Sequence, residues 1–245
     1  MSNLMHFQQL ASTNTYLEQM LQRQNRAKTE TLPDGLAVFT DFQTSGRGRQ
    51  QNSWFSDKGK NLLMSVLIHP KLPIGEQFRV TEWISLALSD FLRQNVGLDA
   101  GIKWPNDIYI RDRKIAGILI SHHWHGETIG SSIIGIGLNL NQEAFPEQLP
   151  NPTSVLLETG CHTNVREAAE AVCRDLMQRR DMPADRLHEE YLQRLYLINK
   201  PALYQDLHDG KLFHGEITGV TEKGLLEMRC GTGIRQFELN GIAYR

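Results

Sequence analysis

The chain lacks the cysteine pairs that staple secreted folds. Its three cysteines, Cys161, Cys173 and Cys230, form no CxxC and are odd in number. They read as reduced thiols of a cytoplasmic protein. No run of 18 apolar residues occurs, so no membrane-spanning helix is expected. The opening MSNLMHFQQLASTNTYLEQM has no basic segment followed by an apolar one, and no secretion signal is expected. An excess of positive charge is also missing. Lys and Arg number 26 against 28 Asp and Glu, a formal net charge of −2, which argues against a chain built around nucleic acid. No GxxxxGK[ST] is present, which excludes a P-loop. Internal repeats, low-complexity tracts and long linkers are absent as well.

What is there suits a soluble enzyme. The 245 residues are 40% hydrophobic and 22% charged, enough for a substantial core and too apolar for disorder. MHFQQLAS reads as a short strand. STNTYLEQMLQRQ reads as a helix capped by Ser12 or Thr13, with Tyr16, Leu17, Met20 and Leu21 at helical spacing. LPDG is a turn. LAVFTDFQ and NLLMSVLI are buried strands by their apolar, β-branched content. GEQFRVTEWISLALSDFLRQNVG predicts an amphipathic helix ending at Gly97. Successive strands follow, linked at IRDRK and at HWHGET, the last being the glycine-bearing SSIIGIGLNL. NVREAAEAVCRDLMQRRD predicts a helix capped by Asn164, and DRLHEEYLQRLYL another. From about Pro201 the texture changes to short β runs with Gly turns, TEKG among them, which predicts a small β-barrel. The expected architecture is a mixed α/β domain with a small β-barrel after it.

Several segments carry residues suited to chemistry. TSGRGRQQNSWFS, Thr44 to Ser56, alternates two glycines with Arg47 and Arg49 and ends on Trp54 and Phe55. Glycines admit close backbone approach, and arginines are planar, permanently charged forks for carboxylate or phosphate. By itself the segment fits a solvated loop as well as a ligand grip. In KWPNDIYIRDRKIAGIL, Pro105 sets a bend and Asn106-Asp107 a turn, placing Lys103 and Asp107 at a strand corner. Lys114 opens the next strand, where Gly117 leaves room for a ligand. Taken singly, Lys114 and Asp107 read as surface charges, and Ser12-Thr13-Asn14 as a helix cap. The histidines of HHWH, His122, His123 and His125, have no further Cys or carboxylate at ligand spacing, and no metal site is assigned to them.

Together, STN, Q-x-x-GRGR…W-FS, KWPND…RKIAGIL and GIGLN occur in one order over essentially the whole chain, and in this they resemble the biotin protein ligase family. GRGR alone is weak; followed by KWPND and RKIAGIL it is specific. The resemblance implies an α+β fold: a central mixed β-sheet flanked by helices, class II synthetase-like, with a small C-terminal SH3-like β-barrel. It implies a catalytic biotin/ATP-binding domain over residues 1–198 and an SH3-like domain over 199–245. It also implies two steps. Biotin and ATP, with Mg²⁺, give biotinyl-5′-AMP and pyrophosphate. A specific lysine of a biotin carboxyl carrier protein, part of acetyl-CoA carboxylase, then takes the biotin and AMP leaves. STN begins at residue 12, so the resemblance is to the monofunctional kind without a DNA-binding winged helix. No DNA or membrane partner is expected, the location is cytoplasmic, and a homodimer through edge strands is left open.

Carried over by motif, Ser12, Thr13, Asn14 and Gln43 line the biotin site. Arg47, Gly48 and Arg49 belong to the adenylate-binding loop, with both arginines meeting the biotin carboxylate and the phosphates. Lys114 contacts carboxylate and α-phosphate and is the first choice for catalysis. Gly117 and Leu119 border the bicyclic ring. Asp107 orients the acceptor lysine, Lys103 holds phosphate or acyl oxygen, and Asn106 and Asn139 lie on the ATP side. Trp54 shields the adenylate. After GRGR, many members continue with further glycine and basic residues, whereas here Gln50 to Ser53 are uncharged. Two rivals are kept: a lipoate or octanoyl ligase or transferase, which shares the catalytic fold, and a non-catalytic nucleic-acid module using Arg47, Arg49, Trp54 and Phe55.

Overall fold

A computed structural model describes residues 3–48 and 52–245. Twelve strands and five α-helices are found among them. The first sheet has seven strands in the order β1-β2-β3-β7-β6-β5-β4. These are Leu4–Phe7, Leu36–Thr40 and Leu62–Ile68, then Thr128–Leu138, Arg113–His125, Asp107–Ile110 and Gly101–Lys103. β1 and β2 run parallel and every other neighbouring pair is antiparallel, so the sheet is mixed. β3 is buried along its whole length, as its unbroken LLMSVLI run requires of a strand covered on both faces.

The two faces are covered unequally. On one, α1 (Thr13–Ala27) packs Leu17 against Leu36, Val38, Leu67 and Ile133. Ser12 caps this helix by accepting the Thr15 amide, and Lys28 ends it in the left-handed region at φ 50°. The other face lies under α2 (Phe78–Phe91), α4 (Val165–Gln178) and α5 (Ala184–Gln193). α2 is buried nearly all round, because α4 and α5 pack on it from outside. One π-turn, Leu92–Val96, separates it from the expected stop at Gly97, φ 78°. Asn164 caps α4 as expected, accepting from the Arg166 and Glu167 amides. A short α3 (Val155–Thr159), capped by Ser154, is too brief to show as a period in the sequence.

Charged groups pin this helical layer. Asp90 on α2 accepts from Arg179 and, at 2.6 Å, from Arg194, while Arg179 also donates to Glu190 at 2.9 Å. Glu82, only 2% exposed, lies 2.6 Å from Nδ1 of His188 on α5. That hydrogen bond raises the His188 pKa, against the opposing effect of burial. A raised folded-state pKa stabilises the fold fully below the unfolded value and loses that contribution as pH climbs through the folded value. The melting temperature is therefore expected to fall as pH rises above about 6.5, with a contribution of about 1 kcal/mol or less after solvent screening. Calorimetry across that range should show His188→Gln removing this part of the slope.

The C-terminal segment forms a second, antiparallel sheet in the order β11-β10-β9-β8-β12. Its strands are Gly233–Phe237, Leu226–Cys230, Leu212–Val220, Pro201–Asp206 and Ile242–Tyr244. It has the expected SH3-like character, but the ladder is open, with no pairing of β11 to β12 among the described residues. The TEKG turn joins β9 to β10, with Thr221 and Leu225 bonded across it. This turn also locks the two sheets together. Trp104 Nε1 donates to the Gly224 carbonyl at 3.0 Å. Gly224 sits at φ 87°, where a Cβ would fall 2.5 Å from the Phe78 ring, so glycine is required there on both counts. No helix is long and apolar enough to cross a membrane among the described residues.

Candidate active site

The face that α1 leaves uncovered carries a cavity of about 550 Å³. Its floor follows from strand register. Directly opposed residues share a face, and one such row runs Lys103–Asp107–Gly117–Gly137–Leu63 across β4, β5, β6, β7 and β3. A second row runs Leu119–Gly135–Ser65 across β6, β7 and β3. Gly135 and Gly137 are two apart on one strand and therefore point the same way. With Gly117 they make a trough with no side chains. A Cβ at Gly135 would stand 2.3 Å from Asn14 Oδ1, and one at Gly137 would stand 2.3 Å from the Trp54 ring.

One end of the trough is polar and built at the start of α1. Thr13 donates its amide to Gln43 Oε1 at 2.8 Å. Ser65 Oγ lies 2.6 Å from Thr13 Oγ1 and also bonds Asn14 Oδ1. Asn14 Nδ2 donates to the Leu119 carbonyl. Leu10 and Ala11 are bonded to Thr44 and Ser45, which ties this helix start to the loop that follows β2. That loop forms a small hairpin: Arg47 pairs with Ser53, Gly48 N–H donates to Asn52 O, and Trp54 N–H donates to Gly46 O. Asn52 and Ser53, from the uncharged stretch, thus serve as hairpin arm. Arg49, Gln50 and Gln51 lie outside the described residues. The loop's far stem is held by Gln142, which bonds Asp57 and Asn61.

The other end is charged. Lys114 Nζ and Asp107 Oδ1 are 2.7 Å apart, both partly buried. The start of β6 is fixed from outside, since Lys114 N–H donates to Asn151 O and Thr153 N–H to Lys114 O. Asn106 bonds the Ile118 carbonyl. Asn139 donates Nδ2 to Thr153 O at 2.9 Å. Its Oδ1 is buried with no hydrogen-bond partner among the described residues. The Trp54 ring lies within the trough over Gly117 and Gly137, with the Lys114 ammonium 5.7 Å from its centre.

Of the residues singled out in the sequence, Ser12, Thr13, Asn14, Gln43, Arg47, Gly48, Trp54, Asn106, Asp107, Lys114, Gly117, Leu119 and Asn139 all line this one cavity. Lys103 does not line it. Its ammonium sits 4.5 Å and 4.4 Å from the ring centres of Tyr109 and Tyr244, and 3.0 Å from the Tyr109 hydroxyl. Burial lowers its pKa, with the Asp107 charge opposing the shift. The same burial pushes the Tyr109 phenol up to about 12. The HHWH histidines stand apart, His122 bonding Ser132 Oγ at 2.8 Å.

Sequence reasoning missed Ser65, Gly135 and Gly137, although glycines two apart in a strand reading IIGIGLN announce a bare stripe on one face. It also missed the wall formed by Phe145, Leu149, Pro150 and Pro152, and Asn240 from the turn between β11 and β12. A Pro-rich loop gives no period by which its target is legible.

Comparison with known proteins places these features. The Biotin/lipoate A/B protein ligase family profile matches residues 6–139, and the chain belongs to that family. The Bacillus subtilis bifunctional ligase/repressor BirA is 28% identical over 214 residues, 83% of this chain and 64% of that protein. A biotin–[acetyl-CoA-carboxylase] ligase of Mycobacterium tuberculosis is 27% identical over 134 residues, 52% of this chain and 47% of that one. The chain thus matches less than two thirds of the length of these relatives. In fold it is similar to the Aquifex aeolicus biotin protein ligase in complex with biotin and ATP. The TM-score is 0.75 at 22% identity, covering 100% of this chain and 99% of that one.

Proposed function

We propose that the protein joins biotin to ATP as biotinyl-5′-AMP, releasing pyrophosphate, and passes the biotin to one lysine of a biotin carboxyl carrier domain of acetyl-CoA carboxylase. The observation that carries this reading is the polarity of the trough's ends. Biotin has a ureido head that needs donors and acceptors, an apolar chain and a carboxylate. Asn14, Thr13, Ser65 and Gln43 suit the head, the glycine floor suits the chain, and Lys114 suits the acid. Ser65 lies on β3 and Lys114 on β6 with β7 between them, about 10 Å apart at normal strand spacing. Lipoate's dithiolane head has no hydrogen-bonding group and would gain no polar contact from this end, whereas a ureido group can exchange bonds with it, which favours biotin.

In the first step Lys114 leaves Asp107 for the two anions, carboxylate and α-phosphate, and stabilises the charge that develops between them. Arg47 adds a second cation, with Arg49 in the same role. The apolar wall of Phe145, Leu149, Pro150 and Pro152 gives the adenine a face to lie on. A Mg²⁺ ion held with the triphosphate would supply neutralising charge there. Asn139 Oδ1, an oxygen without a partner among the described residues, is the kind of ligand this ion takes. Trp54 covers the mixed anhydride and keeps water off it. In the second step Asp107 orients the incoming lysine amine. The division into a catalytic part over 1–198 and an SH3-like part over 199–245 belongs to the same proposal, as does a cytoplasmic setting that keeps the cysteines reduced.

The test is incubation of the protein with ATP, Mg²⁺, biotin and a carrier domain, then mass spectrometry. One biotin on one carrier lysine is expected, and none when lipoate replaces biotin. A lipoyl adduct, or no adduct, would overturn the reading.

A further inference from the structure

Asp107 is the most exposed weakness of this arrangement. Its ion-pair partner among the described residues is Lys114, and the same lysine is wanted by the substrate anions. When Lys114 turns to them, a carboxylate only 25% exposed at its side chain loses its counter-ion. Leaving such a charge unpaired is costly. The residue directly opposite Asp107 on the neighbouring strand is Lys103, on the same face of the sheet.

Lys103 is held back from that carboxylate. Its ammonium lies between two aromatic faces, Tyr109 from its own hairpin and Tyr244 from β12 of the C-terminal sheet, with one phenol oxygen at 3.0 Å. Tyr244 is itself fixed, opposite Tyr204 in the sheet and against the rings of Tyr196 and Tyr204. Its hydroxyl is buried and has no hydrogen-bond partner among the described residues. The ring, then, is what Tyr244 offers. Contacts to aromatic faces are weaker than a charge-assisted bond to a carboxylate, so this station holds the ammonium without trapping it.

We propose that Tyr244 is a positioning residue for the transfer step: its ring keeps Lys103 poised beside Asp107, and Lys103 becomes the counter-ion of Asp107 when a docked carrier excludes the solvent that reaches this carboxylate during the first step, Lys114 being still engaged by the substrate. The C-terminal sheet thereby reaches into the chemistry through one ring. This rests on the proposed biotin transfer.

Two half-reactions separate the roles: biotin-dependent pyrophosphate release, and transfer from pre-formed biotinyl-5′-AMP to a carrier lysine. Tyr244→Phe keeps the ring and should stay within about twofold of wild type in both. Tyr244→Leu removes it and should slow transfer about tenfold, the size of a desolvated cation–π contact, with pyrophosphate release changed less than about threefold. Lys103→Met leaves the C-terminal sheet untouched and should show the same selective loss, which keeps the test sound should Tyr244→Leu unfold. Transfer by Tyr244→Leu or Lys103→Met equal to that of Tyr244→Phe would overturn the proposal, and so would an equal fall in both half-reactions. Wild-type protein that releases no pyrophosphate with biotin would instead overturn the reading of the function, before any variant is compared.

Discussion

Lys114→Ala is expected to cut biotin-dependent pyrophosphate release by at least about 10²–10³-fold, the range for loss of one preorganised charge-stabilising group. No other ammonium lines the trough among the described residues, since Lys103 is held behind Tyr109 and Tyr244. The variant should fold, because the backbone bonds of Lys114 to Asn151 and Thr153 do not involve the side chain. Biotin itself should still bind through Thr13, Asn14 and Gln43, so the loss should fall on turnover more than on affinity. Single-turnover assays at saturating biotin and ATP check this. Release within tenfold of wild type would sink the role given to Lys114.

Gly137→Val should have a comparable effect for the opposite reason: the chemistry stays and the space goes. A Cβ at this position falls 2.3 Å from the Trp54 ring, and two further methyls would project along the floor of the trough. Trp54 belongs to a loop and can retreat, so the folded chain should persist; valine is also a better strand former than glycine. The ligand has no such freedom. Loss of about 3 kcal/mol of binding, roughly 100-fold in Kd, is expected by titration calorimetry with biotin. Unchanged affinity would show that the apolar part of the ligand lies elsewhere.

The sheet and helices were legible where burial writes a pattern. LLMSVLI could hardly be anything but a covered strand, and Asn164 announced its helix. The π-turn before Gly97 was not legible, since Leu92 to Val96 keep helical composition while the bonding changes. The site was legible as a set of motifs and not as a geometry. Register joined Asp107 to Gly117 and Gly137, and no residue type states its partner across a sheet. Lys103 shows the limit best. Its place in KWPND points to a phosphate, yet its neighbours Tyr109 and Tyr244 are six and 141 positions along the chain, and the second belongs to another sheet.

The Trp54 ring over Gly117 and Gly137 means that the resting protein carries its own competitor. Entry of the acid must wait for, or drive, departure of the indole. Apparent affinity is then the intrinsic value discounted by the fraction of molecules whose ring is already out. The other three tryptophans are differently placed, Trp83 and Trp104 in the core and Trp124 on an exposed strand end. The intrinsic fluorescence of one residue therefore reports, without any label, how often the door stands open.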